Sequence, residues 1–108
     1  MYMKTAKEIK PNYAPVYAAA MYPDLARLFI DNGYALSVHG SLARDFDLIA
    51  FPWSYKLTSR RTMLKKITKT FAVKIIGRPE KKPYGRLAYT VSVGFGECAF
   101  DLSFFSMK

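Results

Sequence analysis

Cysteine is nearly absent from this sequence, which holds a single one, Cys98. One cysteine forms no intrachain disulfide, and it argues against a zinc site built from cysteine ligands. The sequence also lacks an apolar run long enough to cross a membrane, and residues 1–13 hold lysines without an apolar core behind them, so we expect no signal peptide. Together these absences predict a protein of the reducing cytoplasm with no membrane partner.

Acidic residues are scarce as well, with 8 Asp and Glu against 17 Lys and Arg and a net charge of +9. The cations cluster in residues 60–66 and 78–86. Such an excess attracts polyanions and speeds encounter with them. We therefore expect a nucleic acid or the phosphates of a nucleotide as partner, although solubility alone would also explain the charge.

The remaining composition is that of a globular protein: 51% hydrophobic, 16% aromatic and 23% charged. A disordered chain has fewer apolar and aromatic residues. A length of 108 residues suits one domain with a modest core. We expect residues 1–108 to form a single domain, with residues 1–12 as a loose basic N-terminal segment.

Hydrophobic periodicity and turn residues predict the order of the helices and strands. Residues 13–32 favour a helix in which Pro23 takes the first position, so that the part before it is a separate helix or a turn. The predicted elements that follow are strands at 34–40 and 45–51, a helix capped by Thr58 or Ser59 and running to about Phe71, a short strand at 73–76, a turn-rich loop at 77–85, and a hairpin of 86–93 with 97–105. This order indicates an α/β (α+β) fold, a mixed sheet of four or five strands with two or three helices packed against it.

Alternation along two of these strands places acidic side chains on the less apolar faces. Asp45 and Asp47 share one face of the predicted strand at 45–51. Asp101 lies on the face of the predicted strand at 97–105 that is opposite its apolar face. If the two strands are neighbours, the three aspartates converge. Clustered carboxylates repel one another unless a cation lies between them, and their oxygen atoms suit Mg²⁺.

Each aspartate also has a structural explanation. Aspartate is common in turns, which would explain Asp45. Asp47 would face solvent beside the basic helix. A surface salt bridge explains Asp101 as well as a metal site does, as far as periodicity alone can decide.

Two stretches resemble a known active-site signature. "HGSLARDFDLIAFPW" (39–53) and the distant "FDLSF" (100–104) resemble the polymerase-beta-type nucleotidyltransferases. Their signature is a Gly-Ser pair at the end of one strand, an acid-x-acid pair opening the next, and a third acid on a later strand. More narrowly, residues 39–53 with their trailing Pro-Trp are similar to small nucleotidyltransferase-like proteins of bacteriophages and prophages. The resemblance implies a compact nucleotidyltransferase-like fold.

The resemblance also implies roles for individual residues. Gly40 and Ser41 would meet the phosphates of an NTP, with Arg44 as a further phosphate contact. Asp45, Asp47 and Asp101 would be catalytic and would hold Mg²⁺ (or Mn²⁺). The implied reaction transfers a nucleoside monophosphate to an acceptor hydroxyl and releases pyrophosphate, in the host cytoplasm if the protein is phage-encoded.

Two other functions stay open. The first is a nucleotidyltransferase-like binding module, weak or inactive as a catalyst, whose basic surface binds nucleic acid or a host protein. The second is a small assembly protein in which the strand at 99–105 forms the uncovered edge of a homodimer. Pro52, Trp53 and Tyr55 would line a pocket for a base or, alternatively, anchor the core.

Overall fold

The computed structural model describes residues 14–40, 46–93 and 99–105. The helices are α1 (Ala14–Asp31) and α2 (Arg60–Phe71), and the strands are β1 (Tyr34–His39), β2 (Asp47–Pro52), β3 (Lys74–Lys82), β4 (Arg86–Ser92) and β5 (Ala99–Phe104). A 3₁₀ turn, Pro83–Gly85, joins β3 to β4. The predicted α+β class is confirmed. Neither α1 nor α2 is long and apolar enough to span a membrane.

The strands form one mixed sheet in the order β1-β2-β5-β4-β3. β2 and β5 pair in parallel, and the other neighbours pair antiparallel. β5 is therefore hydrogen-bonded on both sides, and the prediction that residues 99–105 form an uncovered dimer edge is wrong. The apolar side chains of this strand, Phe100, Leu102 and Phe104, are buried in the core instead. A homodimer as such stays a prediction.

The core lies on one face of this sheet. Leu25 and Phe29 of α1 and Met63 and Ile67 of α2 join a single cluster with the buried strand residues Leu36, Leu48, Ala50, Val91, Phe100, Leu102 and Phe104. The register pairs these strand residues with one another, so they all point to the same side. We call this side the helix face. The opposite side, which includes Asp47, Asp101 and Ser103, is the open face.

Helix α2 follows its sequence pattern closely. Ser59 is the N-cap and accepts a hydrogen bond from the Thr62 N–H at 3.2 Å, which confirms the predicted cap position. Met63 and Ile67 are fully buried, and Ala72 ends the helix with a left-handed conformation. The basic residues are exposed on the other side of the helix.

Helix α1 departs from its prediction because it continues through Pro23. An internal proline removes one backbone hydrogen bond. Contacts on both sides of Pro23 hold the helix to the rest of the fold: Leu25 is fully buried, and the Tyr22 hydroxyl donates to the Leu36 carbonyl at 2.6 Å. Pro23 itself is exposed.

Strand β3 also extends beyond the predicted residues 73–76, and the predicted loop at 77–85 is wrong. Its register with β4 shifts between Ile76 and Glu80, and Gly77 within that shift has φ +68°. A bulge of this kind accommodates both a positive φ and a residue such as Pro79 that cannot donate to the ladder. The connection to β4 is therefore only Pro83–Gly85.

Candidate active site on the open face

Two of the predicted site residues lie side by side in the centre of the sheet. Asp47 of β2 and Asp101 of β5 are register partners across the parallel pair. Partners on adjacent strands point to the same face and have backbones about 4.8 Å apart. His39 of β1 is the partner of Asp47, and Thr90 of β4 is the partner of Asp101. These four residues form a row across the open face, which we call the polar row.

Gly40 directly follows this row and closely approaches Asp47. Its φ is +80°, a conformation that favours glycine. A Cβ atom at this position would lie 3.3 Å from Oδ2 of Asp47, tighter than an ordinary van der Waals contact. The absence of a side chain at residue 40 therefore leaves room beside the carboxylate.

Ser41, Arg44 and Asp45 lie outside the described residues, so the predicted triad is described only through Asp47 and Asp101. In residues 14–40, 46–93 and 99–105, no three His, Cys, Asp or Glu side chains form a group that could hold a metal ion. Asp101 forms no salt bridge with any of these described residues, unlike what its structural explanation would require. The described residues therefore bring together two of the three predicted carboxylates, Asp47 and Asp101.

A cavity of about 200 Å³ opens beside these carboxylates. Its polar lining combines Asp47 and Asp101 with His39, Ser103, Lys82 and Arg86. The sequence indicated Lys82 and Arg86 only as part of a basic cluster, because their approach to the acids depends on the register of three strands. This volume is below the range of about 300–1,000 Å³ typical of pockets that enclose a whole ligand. It suits phosphate groups and a cation better than a complete nucleotide.

Hydrogen bonds hold one wall of the cavity in place. Arg86 donates from Nη1 to Oγ of Ser103 at 3.2 Å, and that hydroxyl donates to the Leu48 carbonyl at 3.4 Å. Ser103 is only 4% exposed and lies two residues after Asp101 on the same face. Nζ of Lys82 lies 3.3 Å from Oε1 of Glu80 in an ion pair.

Searches against protein-family models, curated proteins and solved structures find no match to this chain. The support for a function is therefore the geometry of the open face together with the residues that resemble a known signature.

The aromatic residues after β2 do not belong to the core. Trp53 is 57% exposed and Tyr55 is fully exposed, so the alternative that they anchor the core is wrong. The backbone N–H of Trp53 donates to the Gly33 carbonyl at 3.0 Å, which fixes the chain here without burying the indole. Both rings lie on the surface.

Proposed function

We propose that this protein is a metal-dependent nucleotidyltransferase that transfers a nucleoside monophosphate from an NTP to an acceptor hydroxyl. The observation that carries the proposal is the in-register pair of Asp47 and Asp101 on two central parallel strands. Gly40 lies against the first of these carboxylates, as the Gly-Ser pair of the resembled signature would require. We also propose a cytoplasmic location, because the sequence has a single cysteine.

The two carboxylates fit a hard divalent cation. Asp47 and Asp101 present oxygen donors on one face, and Mg²⁺ and Mn²⁺ prefer such ligands. Two acids this close favour a positive charge between them. By resemblance, Asp45 would add a third ligand. When bound, the metal would neutralise phosphate oxygens and lower the pKa of the attacking hydroxyl.

The residues of the chain would position the reactants. The backbone at Gly40 and Ser41 would approach the phosphates, with Arg44 as a further contact. The acceptor oxygen would attack the α-phosphorus in line while the bond to the β-phosphate oxygen breaks and pyrophosphate leaves. Asp101 would orient the acceptor and take up the proton of its hydroxyl.

Calorimetric titration with each of the four ribonucleoside triphosphates and Mn²⁺ tests the proposal. The wild type should bind at least one of them, and the Asp47→Asn and Asp101→Asn variants should bind it about tenfold more weakly or worse. Asp24→Asn is the matched control, since it makes the same change at an exposed position on α1. Equal binding by all four proteins, or no binding by any, would reject the site.

A second candidate, a nucleic-acid-binding module, has one specific observation in its favour. Residues 60–86 hold ten Lys and Arg and a single acid, Glu80. Every basic residue of α2 is exposed, so the helix presents a basic surface. Helix α2 packs beside β3 on the helix face, and Lys82 and Arg86 lie on the opposite, open face. Mobility shifts with RNA and DNA at two salt concentrations test this function. Binding should weaken steeply with salt, and a lack of binding at low salt would exclude it.

A further inference from the structure

Two cations lie at the end of the cavity away from the polar row. Lys82 and Arg86 are register partners at the ends of β3 and β4, on either side of the Pro83–Gly85 turn. Antiparallel partners point to the same face. Both residues line the cavity that also contains Asp47 and Asp101. We call Lys82 and Arg86 the cation pair.

The guanidinium of Arg86 is held in position but keeps most of its donors for a ligand. Among the residues that the structure describes, its one hydrogen bond is to the neutral hydroxyl of Ser103. It forms no ion pair with any residue of the described ranges. A guanidinium carries five N–H donors in a planar fork, which matches the oxygen atoms of a phosphate. Arg86 is thus oriented toward the cavity while most of its hydrogen-bonding capacity is available.

The spacing of the two ends suits linked phosphate groups. Ser103, which anchors Arg86, follows Asp101 by two residues, and two residues of a strand span about 6.6 Å. A ligand with one phosphate near the carboxylates, through a bridging cation, would therefore place a second phosphate near the cation pair. A single phosphate would reach only one end.

We propose that Lys82 and Arg86 bind the terminal phosphates of the nucleotide and, after transfer, the pyrophosphate that leaves. The identity of the ligand as a nucleotide rests on the proposed function, whereas the binding of linked phosphates rests on the cation pair itself. Glu80 competes for Lys82 through its ion pair at 3.3 Å. Neutralising Glu80 should therefore strengthen anion binding.

Titration with inorganic pyrophosphate in the presence of a chelator and at low salt tests this inference without any metal. Without metal the carboxylates hold no phosphate, so the wild type should bind pyrophosphate more tightly than inorganic phosphate because two linked phosphates can contact Lys82 and Arg86 together. The Lys82→Ala and Arg86→Ala variants should each lose about tenfold in affinity, as expected for a charge-assisted contact. Glu80→Gln should bind more tightly than the wild type.

Lys81→Ala is the matched control because Lys81 carries the same charge on the same hairpin but pairs with Leu87, which turns it to the other side of the strand. It should bind pyrophosphate as the wild type does. Thermal unfolding of each variant by circular dichroism verifies that the fold is kept. If the wild type fails to bind pyrophosphate, or if Lys81→Ala weakens binding as much as Lys82→Ala, the cation pair is not the site. Equal affinity for phosphate and pyrophosphate would overturn the assignment to linked phosphates.

Asp47→Asn separates this inference from the proposed function. It should lose metal-dependent binding of the nucleotide yet bind pyrophosphate in the chelator at least as well as the wild type, because a nearby negative charge is removed. Loss of its pyrophosphate binding would place the anion at the carboxylates and contradict the role of the cation pair. If no protein binds a nucleotide with metal, the nucleotidyltransferase proposal fails, while the pyrophosphate titration still decides this one.

Discussion

Replacing Gly40 with alanine tests how closely the backbone must approach Asp47. The φ of +80° at this residue costs an alanine about 1–2 kcal/mol of unfolding free energy. The new Cβ would also lie 3.3 Å from Oδ2 of Asp47, so the carboxylate must shift by a few tenths of an ångström. This shift would move the carboxylate that we propose as a metal ligand from its position beside Asp101.

Gly77→Ala is the matched control for the cost of placing alanine at a positive φ. Gly77 has φ +68°, and a Cβ built there meets no atom within 4 Å. We expect the unfolding free energy of both variants to fall by about 1–2 kcal/mol. Only Gly40→Ala should weaken binding of the Mn²⁺–nucleotide complex. The expected loss of affinity is about three- to tenfold, because the carboxylate moves by only a few tenths of an ångström, whereas a misplacement of about 1 Å can cost about a hundredfold in rate.

Gly33→Ala completes the series at the other extreme. Its Cβ would lie 2.6 Å from the carbonyl oxygen of Lys56 and 3.2 Å from the Cα of Leu57, which are backbone atoms with little freedom to move. This variant should show the largest loss of stability. Urea denaturation measures all three variants, and calorimetry with Mn²⁺ and nucleotide follows for those that fold. If Gly40→Ala and Gly77→Ala change binding equally, the contact with Asp47 has no role in the site.

Two further predictions concern the supports of the fold. Ser59→Ala removes the acceptor for the Thr62 N–H and should lower the unfolding free energy by about 1 kcal/mol in urea denaturation, so an unchanged midpoint would contradict the cap. Tyr34 is 3% exposed and donates to the Thr58 carbonyl at 2.7 Å; burial raises the pKa of its hydroxyl, and the Arg60 charge lowers it to a smaller extent. The stability that this hydroxyl contributes should be complete below its ordinary pKa of about 10 and lost as the pH rises through the higher pKa of the folded state. The unfolding free energy of the wild type should therefore exceed that of Tyr34→Phe by about 1 kcal/mol at neutral pH. Urea denaturation at alkaline pH should show that this difference disappears.

Local pattern predicted those elements whose local and tertiary preferences agree. Helix α2 has a serine cap and apolar residues four apart, Met63 and Ile67, which are the positions that the core buries. Local and tertiary preferences disagree at Pro23, where packing of α1 continues the helix through a residue that usually ends one. They also disagree from Gly77 to Pro79, where pairing with β4 continues the strand. Such overrides depend on distant parts of the chain, so a local pattern cannot contain them.

The candidate site shows the same division. Alternation was sufficient to place Asp47 and Asp101 on the less apolar faces of their strands. That β2 and β5 are neighbours, with these two residues in register, is a property of the sheet order. The positions of Lys82 and Arg86 depend on further features of the fold. These are the bulge in β3, the turn after it and the hydrogen bond from Arg86 to Ser103.

The separation of charge on the open face favours a ligand that itself carries both signs. In the polar row, the outer register partners of Asp47 and Asp101 are His39 and Thr90. The cations lie further along the strands, where Lys82 pairs with Glu80 and Arg86 with Ser103. Asp101 has no ion-pair partner among the described residues, and a nearby positive charge favours the ionised form of a carboxylate. A divalent cation bound to linked phosphates would satisfy both ends at once: the cation would meet the carboxylates, and the outer phosphates would meet Lys82 and Arg86.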